Sequence, residues 1–103
     1  MIGMTEEQPP FLSAEQALRV IRALAARSDN IVIIQHARQR GRQRRISPRQ
    51  IQLCCLKGSI VEGPFLNPRG QWQVNLFRHA AGEAMTCVAA IDWPSRLIII
   101  TVF

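Results

Sequence analysis

The spacing of hydrophobic residues changes period halfway along the chain, and that change divides it into a helical half and a strand half. Ser13-Ala14-Glu15-Gln16 has the spacing of a capping box, with an acid in the first turn to complement the helix dipole. Ala17, Leu18, Ile21, Leu24 and Ala25 then recur at helical intervals, predicting a helix that ends near Ser28-Asp29-Asn30. Ile31-Val32-Ile33-Ile34 is a β-branched run that predicts a short strand delivering His36 at its end. Residues 37–45 suit a basic helix, weakened in its middle by Gly41 at a cost of roughly 1 kcal/mol relative to alanine. Ser47-Pro48-Arg49-Gln50 is the clearest local signal: an N-cap serine, a proline at the first helical position and a glutamine three residues on. Ile51, Cys54 and Cys55 give that helix an apolar face, and Gly58 stops it.

Beyond Gly58 the period shortens to two. Ser59–Glu62, Gln71–His79, Glu83–Asp92 and Leu97–Phe103 predict four strands, separated by turn residues at 67–70, 81–82 and 92–95. Trp72, Val74 and Leu76 alternate with Gln71, Gln73 and Asn75, so that strand has one buried face. Leu97-Ile98-Ile99-Ile100 is apolar at successive positions and predicts a central strand covered on both sides. The fold class that follows is α+β: N-terminal helices packed on one face of a four- to five-stranded, mainly antiparallel sheet. Residues 1–11 carry two prolines and no periodicity and predict a flexible arm, leaving 12–103 as a single domain.

Composition adds to this picture. The chain has 103 residues, of which 48% are hydrophobic, enough for one core without staples. Cys54, Cys55 and Cys87 are odd in number and lack metal-ligand spacing, so they read as small apolar core residues and neither a metal nor another cofactor is expected. Residues 1–10 do not have the basic-then-apolar pattern of a secretory leader, and no apolar run approaches the roughly 18 residues that a membrane span needs. The expected compartment is the cytoplasm, with no membrane partner.

Charge changes the picture most. The net charge is +6, and twelve of the thirteen basic residues are arginine. Guanidinium offers a planar fork that pairs phosphate bidentately and stacks on bases. From Asn30 to Val61 no acid occurs, while Arg38, Arg40, Arg42, Arg44, Arg45, Arg49 and Lys57 all do. A one-sign block of this kind favours a polyanion, with RNA as the expected one; the alternatives are a solvated face or a surface for an acidic protein. If 36–44 is helical, His36, Arg40 and Arg44 stack along one side and Arg38, Arg42 and Arg45 occupy another. One stripe then suits a site while the other tracks a backbone, with Arg49 and Arg78 as further phosphate contacts.

Cleaving RNA requires a base for the 2′-hydroxyl, an acid for the leaving oxygen and cations for the developing charge. Histidine is the side chain best suited to such proton transfer near neutral pH. His36 with Arg40 and Arg44 supplies part of that set, and His79 completes it if the fold brings the two histidines together. The alternative for each is structural: a capping or core histidine that hydrogen-bonds a neighbouring backbone at 36, and an exposed strand-end residue at 79. Nucleophile elbows, P-loops and paired carboxylates are absent from the sequence. Without tyrosine, an aromatic stacking platform is poorly supplied, and the two tryptophans read as residues packed in or around the core.

His36-Ala37, Arg40, Arg44, Ile46-Ser47, Ile51 and Gly58-Ser59-Ile60-Val61 together resemble the bacterial domain-of-unknown-function family 4258, as does the final run Leu97-Ile98-Ile99-Ile100-Thr101-Val102. The chain departs from the family pattern at Gly41, where methionine is usual, at Arg45, where glycine is usual, and at Gln50, where aspartate is usual. That family looks like a relative of the RelE, ParE, BrnT and MqsR toxin-like folds. The resemblance implies a small sheet with helices on one face, a toxin half of a toxin–antitoxin pair, and His36, Arg40 and Arg44 as site residues. Three functions follow as expectations: a metal-independent endoribonuclease, a non-catalytic binder of RNA or DNA, and a module that docks an acidic partner such as an antitoxin protein.

Overall fold

The structure, a computed structural model, describes residues 7–103. Three helices, α1 (Ala14–Ala25), α2 (Gln35–Arg44) and α3 (Pro48–Lys57), accompany five strands: β1 (Ile31–Ile33), β2 (Ser59–Leu66), β3 (Trp72–Ala80), β4 (Glu83–Asp92) and β5 (Arg96–Val102). The sheet order is β1-β5-β4-β3-β2. β1 runs parallel to β5 and every other pairing is antiparallel. The class is the α+β arrangement that the sequence predicts.

Both predicted capping boxes form. Ser13 and Ser47 each accept a backbone N–H at the third helical position, and Gln16 and Gln50 reach back to the cap N–H. α1 buries Ala17, Val20, Ile21, Leu24 and Ala25, and α3 buries Ile51, Cys54 and Cys55 against the same sheet face. From the strands come Val74, Leu76, Cys87, Ala89, Ile91, Leu97, Ile99 and Val102. Each fully buried aliphatic side chain contributes about 1.5–3 kcal/mol relative to exposure. Trp72 and Trp93 pack at the margin of this core.

The sequence expectations need correction in three places. β5 lies inside the sheet, between β1 and β4, but β4 is the middle strand. Nor is β5 covered on both sides: Leu97 and Ile99 are buried, while Ile98 and Ile100 remain half-buried on the face opposite the helices. A register shift in the β4–β5 pair then returns Val102 to the core. β2 is longer than Ser59–Glu62, running to Leu66 through two register shifts. Pro64 falls in it because an edge strand tolerates a missing donor, and the irregularity blunts the open edge. Ile34 is the N-cap of α2 and not the end of β1.

Residues 1–6 of the predicted arm lie outside the described residues. Its last part is tied down: Gln8 Nε2 donates to Gly70 O at 2.8 Å, and Trp72 Nε1 donates to Pro9 O at 3.0 Å. Among the described residues, no helix is long and apolar enough to cross a membrane.

Candidate nucleic-acid interface

α2 reads QHARQRGRQR, and the fold sorts its residues by angle. Its buried line is Ala37 and Gly41. At about 100° per residue, His36, Arg40 and Arg44 fall on one flank of that line and Arg38 and Arg42 on the other, roughly opposite each other. Gln35, Gln39 and Gln43 take the outward back between them. Gly41 lets the helix approach closely: a Cβ there would lie 3.0 Å from Ile46 O, an oxygen on the chain segment that Ile46 N–H holds to Gly41 O at 2.7 Å.

The first flank runs along the end of β5 toward the β3–β4 hairpin. His36 Nε2 lies 3.2 Å from Thr101 Oγ1, with the ring exposed. Arg40 Nη1 donates to Gln43 Oε1 at 3.4 Å. Arg44 lines a cleft with Gln50 of α3 and with Arg78 and Glu83 of the hairpin. Arg78 arrives there because it continues the Val74–Leu76 row, which projects toward the helices. Arg44 and Arg78, distant in sequence, thus face one cleft, with Glu83 as its carboxylate.

His79 belongs to the opposite row of β3 and is exposed. It pairs with Ala84, whereas Thr101, the neighbour of His36, pairs with Val88. Sheet spacings put those two backbones roughly 16 Å apart, two strands across and four residues along. The fold does not bring His36 and His79 together, so the two-histidine arrangement is not formed.

The second flank borders a different groove. Two adjoining crevices share Ile33, Arg38 and Pro48 as walls. Arg42 lines one of them and Arg49 the other. Arg38 Nε donates to Ile33 O at 3.1 Å. Arg49 Nη1 donates to Gln52 Oε1 at 2.9 Å, and the buried Gln52 in turn donates to Ala25 O at 2.8 Å. Sequence reasoning found these arginines but not the groove, whose walls come from β1, α2 and α3 together. Arg45 stands apart from both flanks as the C-cap of α2, at φ 56° and ψ 40°.

The three cysteines are buried and free. Burial pushes the Cys54 thiol up to about 12. A hydrogen bond with Cys55, followed by burial, raises Cys87 well above the ordinary thiol value. Neither Cys54 nor Cys87 is a poised nucleophile. Among the described residues, no group of three or more His, Cys, Asp or Glu side chains is placed to hold a metal ion.

Comparison with known proteins returns one family. The model described as "Domain of unknown function (DUF4258)" matches residues 33–103, which takes in everything from the end of β1 to the C-terminal strand and leaves out α1. No curated protein and no solved structure gives a match, so none extends the likeness to the RelE-type toxins. The match spans the α2 stripe, the α3 cap and the final strand on which the resemblance rests, and the chain belongs to the family of DUF4258 domains.

Proposed function

We propose that this protein binds single-stranded RNA along the His36–Arg40–Arg44 flank of α2, with the Arg44–Arg78 cleft as the seat of a phosphate. The observation that carries this reading is the convergence of Arg44 and Arg78, from different elements, on one cleft that the stripe leads into. Guanidinium groups at helical intervals suit a phosphate backbone, and such contacts dominate affinity. Glu83 in the same cleft opposes an anion and limits how close a phosphate sits to the hairpin turn. The test is fluorescence polarisation of a labelled 12-nucleotide RNA with the wild type and with Arg40→Ala, Arg44→Ala and Arg78→Ala. Each variant is expected to weaken binding by roughly threefold to tenfold, in keeping with the loss of one solvent-exposed hydrogen bond worth about 0.7–1.4 kcal/mol. Unchanged affinity in all three would overturn the reading.

A second reading, a toxin-like ribonuclease, is favoured by the position of His36 beside Thr101 and at the head of the stripe. His36 would act as the single acid–base group and Arg40 would stabilise charge on the phosphorus. Messenger RNA incubated in EDTA with the wild type and with His36→Ala separates the readings. Cleavage by the wild type alone supports the ribonuclease, and intact RNA in both leaves binding as the function.

A further inference from the structure

The groove on the other side of α2 has a chemistry unlike the RNA flank. Its floor is aliphatic: Ile33, Ala37, Ile46, Pro48 and Ile51. Its wider end, beside Ser28 and Ile31, is a half-open crevice of about 350 Å³, at the small end of ligand-sized clefts. Exposed Arg38, Arg42 and Arg49 stand along it, and among the described residues no carboxylate lines either crevice.

Two of these guanidinium groups are held in place before any partner arrives. Arg38 is anchored on the carbonyl of Ile33. Arg49 is anchored on Gln52, which is 8% exposed and itself fixed to the last turn of α1. Pre-positioned charges reduce the ordering that binding must otherwise impose. The strand edge beside them is already engaged, since Ile31 N–H donates to Ser28 O and Ile33 O accepts from Arg38. Backbone pairing by an added strand is therefore restricted, and side chains entering the groove must supply the recognition.

We infer that this groove docks an acidic, amphipathic peptide segment of a partner protein: apolar side chains enter the Ile33–Ile46–Ile51 floor, and carboxylates pair Arg38, Arg42 and Arg49. Charge complementarity specifies the acidic half of the partner. The aliphatic floor specifies the apolar half, which a sugar–phosphate backbone cannot supply without leaving its polar groups unpaired. The groove lies on the opposite side of the helix from the RNA flank, and the two meet only at Ile46, which lines both.

The test is selection of a phage-displayed random 16-residue peptide library on the full chain, with the Arg38→Glu/Arg42→Glu/Arg49→Glu variant as counter-selection. All three arginines are exposed, so the variant should fold; its circular dichroism melt verifies this. The expected winners pair at least two apolar residues with three or more acids. Their fluorescein-labelled forms bind the reversed variant at least tenfold more weakly and bind Arg78→Ala as they bind the wild type. Replacing their apolar residues with serine abolishes binding. The proposal is overturned if no peptide is enriched, if the winners bind the reversed variant equally, if the serine-substituted peptides bind as well, or if a 12-nucleotide RNA displaces them from this groove.

Discussion

Arg45 shows how a single residue can set charge against backbone preference. It sits in the left-handed region at φ 56°, where a side chain costs roughly 1–2 kcal/mol and glycine nothing comparable. Arg45→Gly is therefore expected to raise stability by about 1 kcal/mol, a rise of about 4–8 °C in thermal midpoint for a domain of this size. An unchanged or lower midpoint would contradict that expectation. Gly58 presents the reverse case. A Cβ at this position would lie 2.5 Å from Cys54 O and 2.9 Å from Phe77 O, both backbone atoms. Gly58→Ala must shift α3 away from β3, with a destabilisation of about 1–3 kcal/mol measurable by denaturant unfolding. Cys54 makes stability depend on pH. Its folded value of about 12 lies above the ordinary 9.0, so the folded state keeps a proton that the unfolded chain releases. Stability is full below pH 9 and declines as pH rises toward 12. Under reducing conditions, Cys54→Ala should flatten the fall in melting midpoint between about pH 9 and 10.5.

At the scale of elements, what was legible in the sequence depended on how local its cause is. Ser13 and Ser47 announce their helices because a cap is satisfied within four residues, and Ser47→Ala is expected to cost about 1 kcal/mol, read by thermal unfolding. The angular sorting of α2 was equally legible, because spacing along a helix fixes direction. What lay outside local reach was the company each flank keeps. Arg78 meets Arg44 only because β3 turns its even positions toward the helices and the hairpin extends past the end of β5. His79, one residue on, is sent to the other face by the same alternation. The apolar run in β5 misled for a related reason. Alternation sends Ile98 and Ile100 to the open face, where they stay half-buried, and an unbroken apolar run looks the same in sequence whether or not a second layer covers that face. The groove beside Arg38 was invisible because its three walls come from separate elements.

At the scale of the molecule, the fold spreads a block of positive charge that the sequence concentrates. A net charge of +6 gives the molecule a field that attracts anions at long range. The α2 helix then separates one arginine row that leads to the Arg44–Arg78 cleft from another that borders an apolar groove. Removing the opposing carboxylate of the cleft by Glu83→Gln should raise RNA affinity about twofold to fivefold at low salt, with the gain fading as salt screens it. The central claim, that RNA is held by phosphates along the His36–Arg40–Arg44 flank, is tested most directly by RNA affinity measured across a salt series. For single strands the slope of log affinity against log salt changes by about 0.7 for each phosphate that the protein neutralises. The wild type is expected to show a steep slope, and Arg40→Ala/Arg44→Ala a slope shallower by about 1.4. Identical slopes in the two proteins, or a wild type that binds RNA independently of salt, would contradict the claim.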